Sequence, residues 1–153
     1  MRMLRRLHRE QGAQGLAEFA LMLPMFLILV FGVIDFGFGL KAYITVASAS
    51  REASRYASIG NQGSTAGAWI ACNSGSTNTV VSKACSTMGS LNQSRAQVKV
   101  ECTPSCVSGN TVTVSSKYQY NYITPVRGLI TVFTGGSLSS YLTISSSNTM
   151  RLE

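Results

Sequence analysis

The side chains able to do chemistry are few and unevenly placed. The single histidine, His8, stands among arginines at the start of the chain (Arg2, Arg5, Arg6, Arg9), and after Gly60 the only carboxylates are Glu101 and Glu153. A Ser-His-Asp or Cys-His arrangement in the C-terminal part therefore lacks its imidazole. A pair of catalytic carboxylates is equally hard to assemble there, and no glycine-rich phosphate loop followed by Lys-Ser or Lys-Thr occurs. The sequence predicts neither an enzyme nor a bound cofactor or small-molecule substrate. Four cysteines remain: Cys72, Cys85, Cys102 and Cys106. They suit two disulfides or one zinc ion, although their spacings lack the paired C-x2-C knuckles of structural zinc sites. Disulfides are the favoured reading if this part of the chain lies outside the cytoplasm. Three pairings are open. Proximity in sequence favours Cys72–Cys85 and Cys102–Cys106, each worth about 2–4 kcal/mol to a small domain.

The other two acids of interest, Glu18 and Asp35, lie within an apolar run. The stretch FALMLPMFLILVFGVI from Phe19 to Ile34 carries no charge, and apolar character continues through Phe36, Phe38 and Leu40. A helix from Leu16 to Leu40 would be about 37 Å long, enough to cross a hydrocarbon core of ~30 Å with tilt. Four arginines precede it, whereas Lys41 alone follows before Arg51. The positive-inside bias therefore puts the N-terminus in the cytoplasm and the cysteine-bearing part outside. A carboxylate at the bilayer centre costs about 2.5–3.5 kcal/mol, and Glu18 and Asp35 would be about 25 Å apart along the helix, too far to help one another. Each must snorkel, be protonated or find a partner elsewhere. For Asp35, snorkelling to the outer headgroups and facing protein are both open. A cleavable secretory signal is the competing reading, since Ala47-Ser48-Ala49 has the small-x-small form. The apolar region exceeds the usual ~7–15 residues, and Asp35 and Lys41 intervene before that site.

The total length of 153 residues leaves about ninety for a domain beyond the membrane segment, enough for one small core. Charged residues are 12% of the chain, well under the usual quarter, and Ser, Thr, Gly and Asn crowd everything after Gly60. The net charge of +7 comes from an arginine cluster in the leader and from basic residues scattered along the rest, with no basic stripe interleaved with aromatics, so a nucleic-acid partner is not expected.

No Gly or Pro interrupts the chain between Leu40 and Ile59, so one rod from about Leu16 to Ser58 is predicted, with Pro24 removing a donor for the Ala20 carbonyl. Along it Gly32, Asp35, Gly39, Ala42, Val46, Ala49, Ala53 and Tyr56 recur at alternating spacings of three and four. This forms a continuous seam. Small residues allow close backbone approach in a membrane, so the seam suits a partner helix; its outer half, from Ala42 on, suits this chain's own domain equally well. The expected organisation is a basic cytoplasmic leader at 1–15, a transmembrane helix at 16–40, its extramembrane continuation at 41–59 and an extracytoplasmic α+β domain at 60–153. In that domain Val81, Ala84, Met88 and Leu91 follow an Asn78-Thr79 cap, and Trp69-Ile70 suit a short preceding turn. Ala96–Glu101 and Val112–Tyr122 alternate as a hairpin. Thr124-Pro125 opens a short helix with Val126, Leu129, Ile130 and Phe133 on one face and Gly135-Gly136 at its end, and a last strand lies near Tyr141–Ser145. The fold class is α+β, with a small antiparallel sheet covered by helices.

The stretch Gly12-Ala13-Gln14-Gly15-Leu16-Ala17-Glu18-Phe19-Ala20-Leu21-Met22-Leu23-Pro24 resembles the start of TadE-like proteins, pseudopilins of the tight-adherence (Tad) pilus system. Ser48-Ala49-Ser50-Arg51-Glu52-Ala53-Ser54-Arg55-Tyr56-Ala57 is similar to that family's Ala-Arg-Glu-Gly-Ala-Arg-Tyr segment, with Ser54 in place of its Gly. The ending Ser147-Asn148-Thr149-Met150-Arg151-Leu152-Glu153 is similar to its usual close. The resemblance implies a pilin-like fold and a minor pilin or assembly factor of a Flp-type pilus. It also implies a leader removed by a prepilin peptidase near Gly12, Ala13 and Gly15. The expected partners are other pilins or pseudopilins, Tad assembly-platform proteins and the membrane. In pilins generally an acid sits fifth in the mature chain. Glu18 is fifth after a cut following Ala13, sixth after Gly12 and third after Gly15. Its implied role is to neutralise a neighbouring subunit's new amino terminus. The alternative is an uncleaved, membrane-anchored binding module or adhesin.

Overall fold

The computed structural model describes residues 2–60, 67–136 and 139–153, with side chains from Gln14 onward except Phe133. The side chains of the leader arginines and of His8 therefore lie outside the described residues. Helix α1 runs over Arg2–Ser58, beginning earlier than the expected Leu16; the added residues are rich in Arg, Leu and Gln, all good helix formers. The chain divides into two compact units, one of Met1–Gly37 and Tyr122–Ser139, the other of Phe38–Asn121 and Ser140–Glu153.

The second unit contains an antiparallel sheet in the order β1-β2-β3-β4, formed by β1 (Ile70–Ala71), β2 (Ala96–Thr103), β3 (Thr111–Asn121) and β4 (Tyr141–Arg151). Period-2 alternation sets its faces. Ala96, Val98 and Val100 of β2 and Val112, Val114, Ser116, Tyr118 and Tyr120 of β3 are buried, while the residues between them are less so. The pairing of Val100 with Val114 and of Tyr118 with Ile144 keeps these side chains on one face. Helix α2 (Thr79–Thr87) buries Val80, Val81, Ala84 and Cys85. Asn78 caps it by accepting the Val80 and Val81 amides at 3.0 and 3.1 Å, which satisfies donors that the first helical turn leaves free.

The last part of α1 closes this core with small residues: Ala42 is 2% exposed and Val46, Ala49, Ala53 and Ala57 are fully covered. The contact also has a polar strip. Ser50 Oγ donates to the Ser146 carbonyl at 3.0 Å, and Asn148 Nδ2 donates to Ser54 Oγ at 2.6 Å. The C-terminal tail adds three backbone bonds. Leu152, 1% exposed, donates to the Asn110 carbonyl and accepts from Gly109, and the Glu153 amide donates to Ser58 at the end of α1. Gly109, at φ +89, adopts a left-handed turn that side-chain-bearing residues rarely take.

In the other unit, α3 (Val126–Thr134) ends where Gly135 turns left-handed and its amide returns to the Thr131 carbonyl at 3.0 Å. Two expectations need correction. Ile70 is not in a turn but in β1, paired with Val98, because a two-residue strand shows no periodicity of its own. β4 continues well beyond Ser145 to Arg151, since its inward positions Ser146 and Asn148 are polar and hide the alternation.

Candidate assembly helix and the sites along it

Near the start of α1, Gly12 and Ala13 are helical, although the Ala13 side chain lies outside the described residues. A Cβ added at Gly15 would meet nothing within 4 Å. Glu18 is exposed, and its Oε1 accepts Gln14 Nε2 at 3.3 Å across one helical turn. Beyond it Leu16, Phe19, Leu21, Met22, Met25, Phe26 and Leu29 are all exposed. Among the described residues one helical segment, Gln14–Ser58, is long and apolar enough to cross a membrane, and only 6% of its most apolar window is buried. A core helix of the same composition would be mostly covered.

Asp35 sits at the far end of that apolar surface and is 6% exposed. Its Oδ1 accepts the Ile123 amide at 2.8 Å and the Thr124 amide at 3.4 Å, and Oδ2 takes a short hydrogen bond from the Thr124 hydroxyl. The same hydroxyl oxygen faces the Val126 amide at 3.4 Å. A carboxylate thus stands before the first turn of α3, where the helix dipole and free amides favour negative charge. Of the two readings open for Asp35, the geometry is that of an acid facing protein, and the protein is its own chain.

The seam divides into two parts. Ala42, Val46, Ala49 and Ala53 are buried in the sheet-bearing unit, and Tyr56 is half-buried. That part serves the chain's own fold. At Gly32 and Gly39, by contrast, an added Cβ would meet nothing within 4 Å. The small-x-small bond after Ala49 lies inside α1, between two fully covered residues, Ala49 and Ser50. A cut there would sever the helix from the core that it closes.

Cys72 is bonded to Cys85 and Cys102 to Cys106, with Cα separations of 5.3 and 5.1 Å, both in the usual range. The first ties the turn after β1 to α2, and the second ties the end of β2 to the hairpin link. The zinc reading required four thiolates around one ion; these sulfurs are bonded in pairs instead.

Sequence reasoning did not single out Ser50, Ser146 and Asn148 as a helix-to-sheet bridge, nor Thr124 as the partner of Asp35. A signal for the first existed: the second and third stretches that carry the resemblance are joined by the Asn148–Ser54 bond. For the second the only hint was a hydroxyl residue before Pro125.

A long N-terminal apolar helix followed by a four-stranded antiparallel sheet packed against helices defines an α+β protein of pilin-like fold. Residues 13–55 match the family model of TadE-like proteins, a span that begins at the expected processing region and ends within the buried stretch of α1. No curated protein and no solved structure shows significant similarity to the chain.

Proposed function

We propose that the protein is a TadE-like pseudopilin or minor pilin that acts in the assembly of a tight-adherence, Flp-type pilus, entering the process through α1. The observation that carries this reading is a coincidence of two spans. The family match at 13–55 covers the same helix whose apolar surface is left uncovered by the rest of the chain. Such a surface is stable in lipid or against other helices and costly in water. In this reading the basic leader stays in the cytoplasm, a prepilin peptidase cuts near Gly12, Ala13 and Gly15, and the disulfide-bonded unit faces the oxidising side.

A cut after Ala13 makes Gln14 the first residue and Glu18 the fifth. The Gln14–Glu18 bond places the two one turn apart on a single helix face. The carboxylate then lies near the level of the new ammonium group, where a neighbouring subunit's amino terminus can pair with it. In lipid both charges are costly alone, so pairing favours subunits that meet. Gly32 and Gly39, with open space around them, are the proposed close-approach points for a partner helix.

N-terminal sequencing of the mature protein, with and without prepilin peptidase, tests the reading. A start between Ala13 and Leu16 that depends on the peptidase supports it. A mature chain beginning at Met1 favours the uncleaved anchor of a binding module. Release into the medium with a start at Ser50 eliminates both.

A further inference from the structure

Helix α3 and the residue pair before it lie at the depth where α1 leaves the hydrocarbon, if α1 spans the membrane. The uncharged stretch Phe19–Ile34 is about 24 Å long as a helix, so Asp35 falls at the outer boundary of a core ~30 Å thick. Ile123 and Thr124 are hydrogen-bonded to Asp35 and so sit at the same depth. Yet Ile123 is 62% exposed, and Val132 on α3 is 79% exposed. Val33 and Phe36 of α1, which flank Asp35 within the same unit, are also open, at 66% and 72%.

We infer that residues 122–136 form a monotopic element that lies in the outer membrane–water interface, with Ile123 and Val132 inserted among the outer-leaflet acyl chains. The inference rests on the membrane-anchored reading of α1 given above. The occupant is lipid, because Asp35 fastens Ile123 to the stretch of α1 on which Val33 and Phe36 are exposed, the stretch read as membrane-spanning. On α3 the chain itself buries Val126 and half-buries Leu129 and Ile130, whereas Val132 stands outside that side and is left open. Asp35 holds the Ile123 and Thr124 amides just ahead of α3, and this tether keeps in place a helix whose nine residues alone are too few for stability in water. The element thereby sets the depth at which α1 stops.

The test uses the full chain in phosphatidylcholine–phosphatidylglycerol vesicles, with Trp69→Phe removing the only tryptophan. Single reporters are then introduced as Val132→Trp, Ile123→Trp, Phe26→Trp and Val107→Trp, all at exposed positions. Lipids brominated near the headgroup or near the chain ends serve as quenchers. The Val132→Trp and Ile123→Trp reporters should lose about half of their emission to the shallow bromines and far less to the deep ones, as expected for a helix ~5–10 Å into the headgroup boundary. Phe26→Trp should show the reverse order, and Val107→Trp should respond to neither. If Phe26→Trp is not quenched, the anchored reading itself fails. If it is quenched while Val132→Trp and Ile123→Trp stay open to aqueous iodide, the interfacial element alone is overturned. Blue-shifted emission from those two that ignores every bromolipid overturns it as well, and assigns the surface to a second copy of the chain.

Discussion

Replacing Asp35 with alanine isolates one contact from the rest of the fold. The carboxylate holds two strong donors, the Ile123 amide at 2.8 Å and the Thr124 hydroxyl, and a weaker one, the Thr124 amide at 3.4 Å. A hydrogen bond to a charged acceptor is worth about 1.5–3 kcal/mol net. For the Ile123 amide alone, that converts to an exchange rate roughly tenfold to a hundredfold faster in the Asp35→Ala protein, since about 1.4 kcal/mol is one decade. Hydrogen–deuterium exchange of the whole chain in vesicles reads this directly. Amides of Ile123, Thr124 and residues 126–130 should lose protection together, because the segment leading into α3 loses the anion that holds it. Amides of β3 belong to the other unit and should keep theirs. Insertion of α1 should be unimpaired, because the change removes an acid from an apolar helix. Asp35→Asn, which still offers one neutral acceptor, should fall between the two. Wild-type exchange at Ile123 and Thr124 in the Asp35→Ala protein would refute the view that this carboxylate fastens the segment.

The two disulfides close loops of sequence separation 13 and 4, for which chain entropy gives about 3 and about 2 kcal/mol respectively. Thermal unfolding of the Cys72→Ser/Cys85→Ser and Cys102→Ser/Cys106→Ser proteins should rank in that order, and the opposite ranking would contradict it. Ala49→Leu forces extra volume into a fully covered site and should destabilise the sheet-bearing unit by about 1–3 kcal/mol. Gly32→Leu and Gly39→Leu, where space is open, should leave its melting temperature within a degree or two, roughly the response expected away from a packed site. They should nevertheless reduce pilus assembly; normal piliation in both would remove the helix-contact role. Glu18→Gln should leave membrane insertion intact and impair piliation, whereas unchanged piliation would rule out charge pairing with a neighbouring amino terminus.

Where a single stretch of chain determined its own structure, the sequence was readable. Asn78 announces α2 because a side-chain acceptor there meets amides two and three residues on. Thr124-Pro125 and Gly135 bracket α3 for equally local reasons, and the alternation of β2 and β3 reflects one buried face. Readability failed where the partner was distant and polar. β4 looked short because Ser146 and Asn148 face inward; there α1 offers Ser54 as acceptor for the Asn148 side chain and Ser50 as donor to the Ser146 backbone carbonyl. Nothing in the local pattern of either segment encodes that match. Asp35 was legible as a problem and not as a solution, since its main partners are the Ile123 amide and the Thr124 hydroxyl, nearly ninety positions away, and neither a backbone amide nor a lone hydroxyl has a sequence signature.

The seam shows the same limit in its composition. Periodicity states that a face is covered, not by what. The kind of small residue carries the missing information, because glycine in a helix costs about 1 kcal/mol relative to alanine and is retained where something needs the space. From Ala42 to Ala53 the seam uses alanine and valine, and these positions are buried in the sheet-bearing unit, where the hydrophobic effect in water drives packing. Before Ala42 it uses Gly32 and Gly39, where an added Cβ would meet nothing within 4 Å among the described residues. In lipid no such drive exists between helices, so association depends on backbones approaching closely. On the proposed function, the change from glycine to alanine therefore marks where the helix passes from a contact outside this chain to the fold within it.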